Sequence, residues 1–132
     1  MTKVITDEKR IDEVLRKFPE VKLAYLFGSR ARGDASENSD YDLAVYLDSR
    51  DVKNNYKTKF SLMSQLGMAL RTDKVDVVVI DDTDKPELKY NIIQEGKLLK
   101  DAEAYRIIME PRILNEYFDF YMMLKRNKLT EK

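Results

Sequence analysis

Residues Tyr25 to Leu47 read YLFGSRARGDASENSDYDLAVYL, and their reading decides the fold. An apolar run ends at Gly28-Ser29, ten residues separate Ser29 from Asp40-Tyr41-Asp42, and a second apolar run follows. The pattern predicts a strand, a tight turn, a loop and a second strand. A strand that stops at Gly-Ser and enters a helical turn gathers several backbone N–H groups into an anion site. Gly28 has no Cβ and lets the backbone come close to a phosphate, and the Ser29 hydroxyl adds a donor. Arg30 and Arg32 follow at once, each with a guanidinium fork suited to phosphate oxygens. In a strand, positions i and i+2 share a face, so Asp40 and Asp42 project together. Adjacent carboxylates repel unless a cation lies between them. Mg²⁺ answers that need, because it takes one or two carboxylates and completes its shell with water and substrate phosphate.

Outward from this stretch, Thr6 to Phe18 reads as a helix. Thr6 caps it, Asp7 and Glu8 suit its N-terminal dipole, Ile11, Val14, Leu15 and Phe18 form one apolar face, and Pro19 ends it. The strand before the turn takes in Val21 to Phe27, and the strand after the acids runs from Tyr41 to Leu47. Helical spacing of Tyr56, Phe60, Met63, Leu66, Met68 and Leu70 predicts a helix from Val52 to Leu70. Lys74 to Ile80, KVDVVVI, is β-branched and predicts a third strand. Pro86 starts a helix that reaches Glu95, with Gly96 as its stop, and Leu98 and Leu99 suggest a short edge strand. Asp101 to Arg126 carries a long helical pattern. Pro111 inside it predicts a kink, or two helices meeting near Glu110, and Asn127 to Lys132 are expected to fray.

The third strand supplies a further acid. Asp76 stands between Val75 and Val77, where burying a carboxylate without a partner is costly. With that strand beside Tyr41–Leu47, Asp76 joins Asp40 and Asp42. Three carboxylates can hold two metal ions, one activating an attacking hydroxyl and the other holding a triphosphate. Asp76 would lie nearest the hydroxyl and accept its proton.

Composition narrows the chemistry further. The chain has 132 residues, 24 basic and 24 acidic, and neither histidine nor cysteine. Lack of cysteine excludes disulfides, thiol nucleophiles and zinc–thiolate sites; lack of histidine excludes Ser-His-Asp triads and imidazole bases. Hard cations held through oxygen remain. The balanced charge gives no reason to expect direct nucleic-acid binding. No apolar stretch has membrane-spanning length and the N-terminus has no apolar signal core, so a cytoplasmic location is expected.

Each residue also has a plainer reading. Asp40 and Asp42 would serve as turn acids, Asp76 as an edge-strand acid facing water, and Arg30 and Arg32 as surface charges. Asp34 and Glu37 read as solvated. Asp81, Asp82 and Asp84 lack the glycine and bidentate glutamate of a calcium loop and read as a polar loop. Tyr117 to Leu124 is richer in apolar area than one core-facing stripe requires, which favours a partner or self-association surface. Lys125, Arg126 and Lys128 read as a solvated helix end.

The stretch GSRARGDASENSDYDLAV resembles the signature of the DNA-polymerase-β-type nucleotidyltransferases, with Gly28, Ser29, Asp40 and Asp42 matching and Asp76 matching by strand position. The small size is similar to minimal nucleotidyltransferase domains, the antitoxin halves of toxin–antitoxin pairs whose partner is a helical HEPN ribonuclease. The likeness runs from about Leu15 to Leu99. It implies an α/β (α+β) fold with a small mixed sheet under packed helices. On that reading residues 1–100 form the nucleotidyltransferase domain, and residues 101–132 a helical extension for partner binding. It implies Mg²⁺-dependent transfer of AMP from ATP to a hydroxyl, with a toxin tyrosine as acceptor. Asp40, Asp42 and Asp76 would bind metal and act in catalysis, and Gly28, Ser29, Arg30 and Arg32 would bind nucleotide. Two other readings stay open: an antitoxin that works by binding alone, and an aminoglycoside-type transferase with a small-molecule acceptor, for which a homodimer would supply the missing wall.

Overall fold

The computed structural model describes residues 6–36, 38–102 and 104–130. In order they form α1 (Asp7–Leu15), β1 (Leu23–Phe27), α2 (Ser29–Arg32), β2 (Tyr41–Tyr46), α3 (Val52–Leu70), β3 (Val75–Val79), a 3-10 turn (Ile80–Asp82), α4 (Pro86–Glu95), β4 (Lys97–Asp101) and α5 (Tyr105–Thr130). The strands make one sheet in the order β3-β2-β1-β4. β1 runs antiparallel to both β2 and β4, and β2 and β3 are parallel. The sheet is therefore mixed, as expected.

Helices cover both faces, which explains why β1 and β2 are apolar almost throughout. Ala24, Leu26, Leu43, Val45 and Val77 pack with Ile11 and Leu15 of α1 and Leu62 and Leu66 of α3. Leu23, Tyr25 and Ala44 point the other way, toward Ile92 of α4 and Ile113 of α5. Asp42 and Asp76 alternate with Leu43 and Val77, so their Cβ bonds leave the sheet on the α4/α5 side.

Several elements differ from their sequence readings. α1 stops at Leu15 rather than Phe18. Its last turn tightens into the Lys17-to-Val14 and Phe18-to-Leu15 bonds, because a residue before proline disfavours the α conformation. β1 begins at Leu23 rather than Val21. α3 has the expected limits but another buried face. Leu62, Leu66 and Leu70 face the core with Asn55, whereas Tyr56, Phe60 and Met68 are exposed. Steps of seven and four residues return to one side of a helix, which puts Asn55, Leu62 and Leu66 together and Tyr56 and Phe60 elsewhere. Replacing Leu66 with alanine should accordingly cost about 2–5 kcal/mol in chemical unfolding. Met68→Ala, at a side chain 67% exposed, should stay within about 0.5 kcal/mol.

The acidic run Asp81–Asp84 is more than a polar loop. Asp81 accepts from the backbone N–H groups of Leu47 at 2.9 Å and Ser49 at 3.2 Å, and Asp82 accepts from the Asn55 amide. These bonds pin the end of β2 to the start of α3. Burial pushes the Asp81 carboxyl above its usual range, and the two backbone donors oppose that shift.

α5 continues through Pro111 as one helix, so of the two expected outcomes, a kink or two helices meeting near Glu110, the second is absent. Pro111 removes the N–H that would meet the Ile107 carbonyl. Ile107 and Pro111 are exposed, so water can serve that carbonyl. Asn127 to Thr130 are helical, while Glu131 and Lys132 lie outside the described residues. Among the described residues, no helix is long and apolar enough to cross a membrane.

Candidate active site

The predicted residues meet where the C-terminal end of β1 reaches the N-terminal ends of β2 and β3. Phe27 is opposite Asp42, and Asp42 is opposite Asp76. Gly28 follows directly, with φ +74° and ψ −156°, a conformation open essentially to glycine alone. A Cβ at Gly28 would lie 2.5 Å from Oδ2 of Asp42. The glycine thus serves two purposes: it turns the chain from β1 into α2, and it makes room for the Asp42 carboxylate.

Asp40 departs from its expected setting. It lies in the loop one residue ahead of β2 and is exposed, so strand alternation does not place it beside Asp42. Asp76 also differs. β3 is an edge strand, and Asp76 is exposed rather than buried among its valines. A cavity of about 260 Å³ is lined by Asp40, Asp73, Lys74, Val75 and Asp76. A second, of about 370 Å³, is bordered by Asp76, Asn55, Lys59, Asp82 and Lys85. Asp76 therefore stands between two open spaces.

The electrostatics favour a cation. Burial pushes the half-buried Asp42 carboxyl above its usual range, and the charges of Asp76 and then Asp40 push the same way. Arg32 opposes them. An all-oxygen set of mutually repelling carboxylates is the donor chemistry that hard divalent ions take. Among the described residues, no three acidic side chains come together closely enough to hold a metal ion. The residue types therefore suit such an ion, and their present spacing does not enclose one.

The two arginines differ in use. Arg32 is exposed and pairs with Asp34 at 3.3 Å and Glu95 at 3.6 Å. Such exposed pairs are weak, which leaves the guanidinium able to exchange partners. Arg30 is engaged inside the chain. Its Nη2 donates to the Ser39 carbonyl at 3.0 Å, and its Cζ lies 4.0 Å from the centroid of the Tyr41 ring. Asp34 is solvated as expected, and Glu37 lies outside the described residues.

Sequence reading missed Tyr41 and Asn55. Tyr41 appeared only as the first apolar residue of β2. It is buried, underlies Arg30, and its hydroxyl donates to Asp7. An aromatic directly between two acids, downstream of a turn that carries two arginines, was the available signal. Asn55 is 1% exposed and ties Ser49 and Asp82 to α3. One of two adjacent asparagines, Asn54 and Asn55, in the first turn of a helix carries no comparable signal.

Comparison with known proteins bears on this arrangement. The family model described as polymerase beta, nucleotidyltransferase matches residues 9–105. A protein adenylyltransferase MntA from Aphanizomenon flos-aquae (strain 2012/KM1/D3) is 34% identical over 92 residues, 65% of this chain and 61% of that protein. The chain thus spans somewhat under two thirds of that relative's length. A protein adenylyltransferase MntA from Shewanella oneidensis is 34% identical over 106 residues, 76% of this chain and 73% of that protein. A solved structure of the tri-AMPylated Shewanella oneidensis HEPN toxin in complex with MNT antitoxin matches with a TM-score of 0.67 and 22% identity, over 95% of this chain and 93% of that one. At that identity the match shows the fold.

Proposed function

This chain belongs to the polymerase-β nucleotidyltransferase family, and from that membership we propose that it transfers AMP from ATP to a hydroxyl, the acceptor being a tyrosine of a HEPN-type toxin that it thereby silences. One observation carries the reading: the Asp42–Asp76 pair stands in register across two parallel strands, directly beside a glycine turn whose missing Cβ leaves room for Asp42. Both named relatives are protein adenylyltransferases, and the matched complex pairs an MNT antitoxin with an AMPylated HEPN toxin.

Each residue has a task in this scheme. Gly28 and Ser29 receive the triphosphate at the turn, with Arg32 leaving its weak surface partners to pair with phosphate oxygen. Asp40, Asp42 and Asp76 would hold Mg²⁺. When bound, the ion neutralises charge developing on the α-phosphate and the departing pyrophosphate. Asp76, at the open edge, accepts the proton of the attacking hydroxyl. The P–O bond to the acceptor forms as the α–β phosphoanhydride bond breaks, and pyrophosphate leaves.

Partner binding falls to α5. Its first half belongs to the fold: Ile113 is buried, the Tyr25 hydroxyl donates to Glu110, and Tyr117 stacks on Tyr90 with centroids 3.9 Å apart. Its second half carries the exposed Phe118, Tyr121, Met122 and Met123. We assign docking to this half, within the 101–132 extension, and place the protein in the cytoplasm with its ATP.

The test uses the full chain, a HEPN toxin and ATP labelled on either the α- or the γ-phosphate. Label should enter the toxin from the α position only, in a divalent-ion-dependent manner, and replacing the acceptor tyrosine with phenylalanine should prevent it. Toxin silenced without α-label would replace this reading with inhibition by binding alone.

A further inference from the structure

Arg30 follows the Gly-Ser step, where a phosphate-binding arginine is expected, yet its visible contacts are within the chain. Its Nη2 donates to the carbonyl of Ser39, and its guanidinium lies over the ring of Tyr41. Ser39 and Tyr41 are the two neighbours of Asp40. One side chain therefore grips the residues on either side of a candidate metal ligand that is itself exposed and outside any strand.

The grip is anchored at both ends. Arg30 lies within α2, whose turn is closed by bonds from Ala31 and Arg32 to the Gly28 carbonyl. Tyr41 is held by its hydroxyl to Asp7 and by its N–H to the Lys74 carbonyl at 2.8 Å. The Ser39 hydroxyl accepts from the N–H of Ser36 at 2.9 Å, and Lys74 donates to the Asn38 carbonyl. Among the described residues, the bonds left to Ser36, Asn38 and Ser39 without Arg30 are short-range or exposed ones of this kind. A cation over an aromatic face and a partly buried charge-assisted bond to a carbonyl are stronger than those.

We infer that Arg30 is a positioning residue: it fixes Asp40 at the entrance to β2 by clamping Ser39 and Tyr41, rather than binding the nucleotide's phosphates. A lysine cannot replace it, because an ammonium lacks the planar fork that donates to a carbonyl while lying flat on a ring. The buried Arg30 Nε has no hydrogen-bond partner among the described residues, which makes a direct ligand contact the competing account. This inference rests on the transferase reading for its kinetic arm only.

Arg30→Met keeps the apolar stem and removes the fork; Arg30→Lys keeps the charge. In both, amide exchange at Ser36 and Ser39 should quicken by about tenfold or more, while Ala24 in the core keeps its protection. With ATP and toxin, kcat should fall by about tenfold or more and the KM for ATP stay within about twofold, since a displaced catalytic group lowers turnover rather than substrate affinity. Unchanged exchange at Ser36 and Ser39 overturns the inference. So does a KM for ATP that rises while kcat holds, the signature of a phosphate ligand. A wild-type chain without transfer activity would instead overturn the transferase reading, and the exchange arm would still decide the role of Arg30.

Discussion

Asp42→Asn should remove transfer to the toxin by about a hundredfold to a thousandfold or more and leave the fold at least as stable as before. The loss follows from where Asp42 stands. It is the acid that faces both Asp76, across β2 and β3, and the Gly28 turn, so it is the group shared by the metal and phosphate halves of the site. An amide oxygen preserves the shape and discards the charge that draws a divalent ion. The stability half of the expectation follows from repulsion. Burial, Asp76 and Asp40 all raise the Asp42 carboxyl above its unfolded value. A raised acid favours the folded state only while it keeps its proton. As pH climbs past the unfolded value, the unfolded chain ionises first and the folded one lags, so the metal-free protein loses stability until Asp42 has also ionised. The amide of the variant has no such proton to lose. At neutral pH the variant should therefore melt at or above the wild-type temperature, and the acid-side dependence of stability should flatten. Added Mg²⁺ should raise the melting temperature of wild type and do much less for the variant. A variant that loses both activity and stability would point to a structural acid.

How much of this was legible beforehand depends on the range of the physics involved. The Gly-Ser turn and the strands around it could be read, because glycine's freedom and β-branched runs act locally. So could the limits of α3 and α4, where caps and proline act within a turn. The pairing of Asp42 with Asp76 could be anticipated only as a condition, since it needs β2 and β3 to be neighbours in register. What stayed hidden was long-range. Asp81 looks like any loop acid until its carboxylate is seen closing over the N–H groups of Leu47 and Ser49, 34 and 32 residues away. Asp76 looked costly in a valine strand because a sequence does not say that the strand lies at an edge. Arg30 looked like a phosphate ligand because it follows the turn, while its partners Ser39 and Tyr41 come into reach only once the intervening loop has folded back. Helical spacing identified α3 without identifying its core side, because apolar residues occupy more than one face.

Gly28→Ala should damage the turn and the candidate site together. Two independent costs fall on one atom. The backbone at Gly28 has φ +74° with extended ψ, a region that L-residues avoid at about 1–3 kcal/mol. The new Cβ would also sit 2.5 Å from Oδ2 of Asp42, well inside contact distance. Either the turn rotates, moving Ser29 and the start of α2, or the Asp42 carboxylate swings away from Asp76. Both routes break the same relation between phosphate grip and acids. Misplacing a reacting group by about 1 Å costs on the order of a hundredfold in rate, so kcat should fall by at least that much. Unfolding should show a loss of about 1–3 kcal/mol. Gly33→Ala is the control. Gly33 also has positive φ, at +81°, but nothing lies within 4 Å of where its Cβ would be. It should show a destabilisation of about 1–2 kcal/mol with turnover close to wild type. If the two alanines damaged turnover equally, backbone strain in α2 would explain both, and the clearance for Asp42 would have no part in catalysis. A large loss at Gly28 alone would tie the glycine of the turn to the carboxylate it accommodates.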